Sequence, residues 1–325
     1  MRREAELLRS RSSLLATKPT HDGRPERAET FQVQQASARR GSNYLLNCAT
    51  LAEDPIGAFR SFVMDEIITD RSEGILRVEL NRPEKKNAMT SRMYVALADI
   101  LNEADKEDDT RVVLWYGAGD SFCAGNDVED FLKNPPGPGD SPQARLMSAL
   151  VDLDKPLIAA VQGAAIGGGT TMLTHCDFVY AGESAKFQLP FVNLALVPEF
   201  GSSWSLPARM GHIHAAELVL LGLPFDAKRA AELGFVTQVV PDLNLLATAS
   251  ETVRKLAAKP AGALRASKRL LKRSFREQIK TAMKAEDEEF SIQVRSNDAK
   301  EAFAAFLEKR APDFAKTRKS ATAAA

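Results

Sequence analysis

Two apolar runs in this chain end in glycine in the same way, and they limit what it can fold into. "VVLWYGAG" (Val112–Gly119) and "KPLIAAVQGAAIGGG" (Lys155–Gly169) are too short and too uniformly apolar for anything but buried strands. Each leads into a glycine-bearing corner, "FCAGND" (Phe122–Asp127) and "GAAIGGGT" (Gly163–Thr170), and each corner precedes a helical pattern. A helix start leaves backbone N–H groups without partners, and glycine lets a ligand approach them closely. One such corner is able to hold a phosphate. Two of them can aim two N–H groups at one oxygen, which is what an oxyanion hole requires. Neither corner reads as a dinucleotide or P-loop motif: "GAAIGGG" is not G-x-G-x-x-G, and no Gly-Lys-Ser/Thr follows.

The rest of the pattern agrees with an α/β core that ends in helices. "GILRVELNRP" alternates, with Leu76, Val78 and Leu80 on one face, so it predicts a half-buried strand turned by Asn81-Arg82-Pro83. "TSRMYVALADILNEADKED" predicts a helix capped by Thr90 or Ser91, and another helix is expected at about 142–152. "FLKNPPGPGDSPQ" predicts a loop, and "KFQL" a short strand. Residues 1–62 have little apolar periodicity and are expected to be a disordered extension, dispensable for folding. Glu4 and Glu6 argue against a transit peptide there. The core is expected over 63–255, and a helical region with a short tail over 256–325.

Composition excludes several function classes. Lys+Arg and Asp+Glu are both 43, so nothing points to nucleic acid or an anionic membrane surface. No apolar run approaches the ~18 residues of a membrane span. Three cysteines follow no C-x-x-C spacing, which suits a reduced, cytoplasmic setting. With four histidines and no ligand spacing, no metal site is expected.

At this point the chain resembles the crotonase superfamily, the enoyl-CoA hydratase/isomerase family. The pieces that carry the resemblance are "LNRPEKKNAMT" (Leu80–Thr90), "FCAGNDVEDF" (Phe122–Phe131), Lys155–Gly169, "CDFVYAGESAKFQLPF" (Cys176–Phe191), "LGLPFDAKRAAELGFVTQVVP" (Leu221–Pro241) and "EAFAAFLEKRAPDF" (Glu301–Phe314). They fall in family order over about 64–314. The resemblance implies a spiral of ββα units with a helical C-terminal part, assembly as a homotrimer or hexamer, and an acyl-CoA substrate. Coenzyme A is then part of the substrate, and no separate cofactor is implied. By position, the oxyanion hole is the N–H groups of Asn126 and Gly168. Substrate contacts are implied around Ala124, Gly125, Asp127 and Val128, at Gly167, and around Asn87, Ala88 and Met89, with Lys86 beside a CoA phosphate.

The family's hydratases resemble one another in two glutamates, whose positions here are Thr171 and Phe191. "VPEFGSS" instead looks like the peroxisomal-type Δ3,Δ2-enoyl-CoA isomerases, which carry one catalytic glutamate at the position of Glu199. Its apolar neighbours Val197, Phe200 and Trp204 would desolvate a carboxylate and raise its basicity. Asp127 also reads as a turn or capping residue, Ser202 and Ser203 as helix caps, and Cys123 as structural. The expectation is an isomerase of fatty acid β-oxidation. The alternatives are a hydratase-like reaction with Glu199 acting alone and a catalytically silent acyl-CoA-binding member.

Overall fold

The structure, a computed structural model, describes residues 64–135 and 139–317. The extension expected over 1–62 and the middle of the Pro/Gly loop lie outside them. Nine strands run β1 (Ile67–Ser72), β2 (Ile75–Leu80), β3 (Val112–Gly117), β4 (Leu157–Val161), β5 (Ala164–Ile166), β6 (Phe178–Gly182), β7 (Lys186–Gln188), β8 (Phe225–Asp226) and β9 (Gln238–Val240). Six of them form one sheet in the order β1-β2-β3-β4-β6-β9, antiparallel at β1–β2 and parallel elsewhere. The other three form a small sheet, β5-β7-β8. The runs read as buried strands are β3 and β4, in the middle of the large sheet. A parallel strand covered on both faces must be apolar throughout, and β4 is buried at all five residues.

Eleven α-helices connect and cover these strands among the described residues. The first six are α1 (Ser91–Lys106), α2 (Val128–Lys133), α3 (Pro142–Asp152), α4 (Gly168–Thr171), α5 (Ser202–Met210) and α6 (His212–Leu221). They are followed by α7 (Ala227–Glu232), α8 (Leu245–Ala257), α9 (Ala261–Arg273), α10 (Arg276–Gln293) and α11 (Asn297–Leu307). The α1 helix starts where its cap was expected, with the Thr90 hydroxyl accepting the Met93 N–H at 3.4 Å. It turns Met93, Leu97, Ile100 and Leu101 onto the sheet and packs against α3. Each such side chain, fully buried, stabilises the fold by ~1.5–3 kcal/mol.

The C-terminal helices do not stand apart from this core. Phe290 of α10 and Phe303 of α11 are buried in the same cluster and pack on Phe131 of α2, with ring centroids 6.2 and 5.5 Å away. The α9 helix is built the opposite way. Lys268 and Lys272 face inward, while Leu270 and Leu271 remain 65% and 74% exposed. The buried cations have partners: Lys272 Nζ donates to the Leu150 and Val151 carbonyls at the end of α3, and Lys268 pairs with Asp177 at 2.8 Å. Carbonyls at a helix C-terminus lack intrahelical donors and favour a cation.

Candidate active site

The segment Phe122–Asp127 is held between two neighbours by backbone hydrogen bonds. On one side, Cys123 N–H donates to Ala164 C=O and Ile166 N–H to Cys123 C=O, both at 2.9 Å. On the other, Ala124 N–H donates to Lys86 C=O, Met89 N–H to Gly125 C=O and Asp127 N–H to Met89 C=O, at 2.8–2.9 Å. The two glycine corners are therefore registered against each other directly. A methyl on Gly125 would lie 2.8 Å from the Ile166 oxygen and 4.0 Å from the Gly168 nitrogen, and one on Gly169 would strike the Cys123 oxygen at 2.3 Å. Close approach, rather than a turn alone, requires glycine at these two places. The N–H groups of Asn126 and Gly168 take no part in this ladder, and neither has a hydrogen-bond partner among the described residues.

Both residues line a cavity of about 370 Å³, together with Ala124, Gly125, Val128 and Gly167. Phe303, Phe306 and Arg310 border it from the C-terminal end of the chain. Glu199 is the sole carboxylate in this lining among the described residues. It is 6% exposed, and its Oε1 has no hydrogen-bond partner. A methyl placed on Gly168 would sit 3.0 Å from that oxygen, so the carboxyl lies directly beside one of the two free N–H positions. Burial, and then the neighbouring charge of Glu286, push the Glu199 carboxyl up to about 8. A second cavity of about 380 Å³ opens between α3 and α10, lined by Gln143, Met147 and Met283 among others. The two cavities share only Glu199 and Phe290, so the carboxyl stands at their junction.

The remaining residues singled out in the sequence have other places. Lys86, Asn87, Ala88, Met89 and Asp127 do not line the cavity. Lys86 has an exposed side chain, and its carbonyl anchors Ala124. Asn87 is fully buried and donates to the Ala118 and Ser121 carbonyls while accepting the Arg82 N–H. Asp127 caps α2 by accepting the Glu129 and Asp130 N–H groups and pairs with Arg82 at 3.1 Å. Thr171 turns its hydroxyl toward the Gly167 and Gly168 carbonyls within α4, and Phe191 is an apolar part of the cavity wall. Burial raises the Cys123 thiol to about 12, so it stays protonated. Neither Ser202 nor Ser203 caps α5 with its side chain, contrary to expectation. Gly201 is the N-cap, and the acceptor comes from Glu286.

Three residues at the site escape a sequence reading. Tyr94 of α1 is fully buried and donates its hydroxyl to Asn126 Oδ1 at 2.8 Å, where a methyl on Gly168 would meet it at 3.2 Å. His175 lies 2.8 Å, ring Nε2 to carbonyl, from Phe200, the residue after Glu199. Burial lowers its pKa to about 3, so the ring is neutral and Nε2–H donates. Glu286 of α10 accepts the Gly201 and Ser203 N–H groups, each at 2.7 Å. Only the helical position of Tyr94, four residues after Thr90, hinted at an inward side chain.

Residues 70–317 match the family model described as enoyl-CoA hydratase/isomerase. The 1,2-epoxyphenylacetyl-CoA isomerase of Escherichia coli (strain K12) is 36% identical over 259 residues, covering 78% of this chain and 99% of that protein. Human enoyl-CoA delta isomerase 2 is 34% identical over 68% of this chain and 57% of its own length. The crystal structure of an enoyl-CoA hydratase/isomerase from Pseudoalteromonas atlantica T6c superposes with a TM-score of 0.73 at 39% identity, covering 77% of this chain and 99% of that one. The fold, the paired glycine corners and these similarities agree, and the chain belongs to the enoyl-CoA hydratase/isomerase family of the crotonase superfamily.

Proposed function

We propose that the protein is a Δ3,Δ2-enoyl-CoA isomerase of fatty acid β-oxidation, with Glu199 as its single base and the Asn126 and Gly168 N–H groups as its oxyanion hole. The observation that carries this reading is the solitude of Glu199. Among the described residues it is the one carboxylate of the cavity that holds both free N–H groups, and its buried Oε1 has no hydrogen-bond partner. The thioester oxygen accepts from the two N–H groups. The Glu199 carboxylate takes a proton from C2 of a 3-enoyl-CoA, and the electron pair moves onto the thioester oxygen to give a dienolate. The same carboxyl returns a proton at C4, leaving the double bond at C2. A base raised toward the working pH is suited to such a carbon acid, and each oxyanion donor typically contributes ~2.7–4 kcal/mol. The cavity between α3 and α10, which shares Glu199 and Phe290 with the site, offers room for the acyl chain beyond the reacting carbons.

Water addition calls for a second acid to hold and activate the water. Thr171 and Phe191 occupy the two hydratase positions, and the next nearest acid, Glu286, is engaged by two backbone N–H groups. The exposed Leu270 and Leu271 of α9, with Phe306 and Leu307 of α11, support self-assembly as a trimer or a dimer of trimers, readable by light scattering. The deciding experiment for the activity compares isomerisation of 3-hexenoyl-CoA with hydration of crotonyl-CoA. Isomerisation without hydration is the expected result. Hydration alone would overturn the reading, and binding with neither reaction would mark a silent acyl-CoA-binding protein.

A further inference from the structure

We propose that Glu286 is the positioning residue for the base: from α10 it grips, with both carboxylate oxygens, the turn that aims Glu199 into the cavity. The inference rests on Glu199 being that base.

The turn is one that the chain does not adopt readily. Phe200 and Gly201 follow Glu199 with φ of +62° and +68°. The left-handed region is open to glycine but disfavoured for a bulky residue such as phenylalanine. A strained conformation of this kind persists only where its surroundings overdetermine it. Here two side chains from distant elements do so. His175 holds the Phe200 carbonyl at 2.8 Å. Glu286 holds the next two free N–H groups, Gly201 by Oε2 and Ser203 by Oε1, each at 2.7 Å. The contact between α10 and the turn is tight: a methyl on Gly201 would meet Ile279 Cγ2 at 2.7 Å. Glu286 is itself only 7% exposed, and it shares the wall of the second cavity with Glu199.

Two buried acids facing one cavity do not ionise equally. Burial raises both. Glu286 has an N–H donor on each oxygen at the start of α5, which favours its charged form. Glu199 Oε1 has no donor. The charge therefore resides on Glu286 and the proton on Glu199, so Glu286 both fixes the base and opposes its ionisation. The other ionisable groups facing this pair are Asp152 of α3, Lys280, Lys284 and Asp287 of α10, and, on the wall of the first cavity, Arg310, which is paired with Glu301 and Glu308. Lys280 is paired with Asp152 at 2.8 Å, and Asp287 accepts the Gly139 N–H. Tyr94 and His175 are neutral there, the phenol raised by burial and the imidazole lowered by it.

The test uses Glu286→Gln and Glu286→Ala in the full chain. Isomerisation of 3-hexenoyl-CoA is followed across pH, with affinity for unreactive hexanoyl-CoA and melting temperature measured alongside. Glu286→Ala frees both N–H groups and should lower kcat by about tenfold or more, with hexanoyl-CoA affinity within about threefold. Glu286→Gln keeps one acceptor and removes the charge. It should lose less rate and move the rising limb of kcat/KM to lower pH by about half a unit or more, because a lost neighbouring charge makes Glu199 easier to ionise. A merely structural role would not move that limb. An unchanged limb in Glu286→Gln, or an unchanged kcat in Glu286→Ala, overturns the proposal. If Glu286→Ala does not fold, the Glu286→Gln profile decides. Glu199→Gln run in parallel separates the two readings. Full activity there removes the base itself. An inactive Glu199→Gln beside indifferent Glu286 variants removes only the positioning role.

Discussion

The glycine corners and the Glu199 turn meet within a few ångströms, yet they are held by different means. The corners are fixed by main-chain hydrogen bonds between segments that already follow buried strands. The turn is fixed by side chains from far along the chain, His175 and Glu286, acting on backbone atoms 25 and 85 residues away. Main-chain geometry is indifferent to most substitutions and intolerant of added volume at its closest contacts. A side-chain clamp has the opposite sensitivities: it depends on residue identity and on protonation. One region of the site thus presents two N–H groups on a rigid frame, and the other a carboxyl whose proton affinity its surroundings set.

The largest effect that would sharpen this contrast is expected at Glu199. Glu199→Gln keeps shape and removes the proton acceptor, so kcat for isomerisation should fall by about 10²–10⁴-fold with acyl-CoA affinity largely kept. Near wild-type turnover would place the base elsewhere. Gly168→Ala tests the rigid region by volume. Its methyl would lie 3.0 Å from Glu199 Oε1 and 3.2 Å from the Tyr94 hydroxyl, in the space proposed for the thioester. A loss of about 10²-fold in kcat/KM is expected, and a variant that tolerates the methyl would show that the corner yields.

Protonation gives a smaller effect with a definite sign. The Glu199 carboxyl is raised to about 8 in the fold from 4.5, so the fold favours its neutral form. Its contribution to stability is complete below about 4.5 and is lost as pH rises through about 8. Melting temperature should therefore fall more between pH 5 and pH 9 in the wild type than in Glu199→Gln, by about 2 °C or more. Parallel curves would mean that the carboxyl is less buried than it stands here. Smallest of all is Thr171→Ala. It removes a hydroxyl engaged only within α4 and should change kcat less than about threefold, whereas a hydratase-like role for this position would give a large loss.

How far the sequence could be read follows the same division. The strands β3 and β4, the helices α1 and α3 and both corners were legible, because apolar runs, caps and glycines act on their own neighbours. Glu199 was legible through its motif and its apolar flanks. The clamp was not, because nothing near His175 or Glu286 in the chain refers to residues 200–203. The inward face of α9 was not legible for a related reason: Leu270 and Leu271 lie outward in the single chain and Lys268 and Lys272 inside, where carbonyls and Asp177 receive them. Polarity predicts burial only when the partners of a buried charge are local enough to be seen. On α11, Phe303 is buried while Phe306 and Leu307 are exposed.

The orphaned Oε1 of Glu199 has a consequence for the fate of individual atoms. With substrate filling the cavity, a carboxyl that is 6% exposed and has no donor at Oε1 has little water to exchange its proton with. Hydrogen removed from C2 should then reappear at C4 of the same molecule more often than bulk water would supply it. A substrate carrying deuterium at C2, converted in ordinary water, should keep part of that label at C4. The retained fraction is a direct measure of how well the fold isolates one proton during a single turnover.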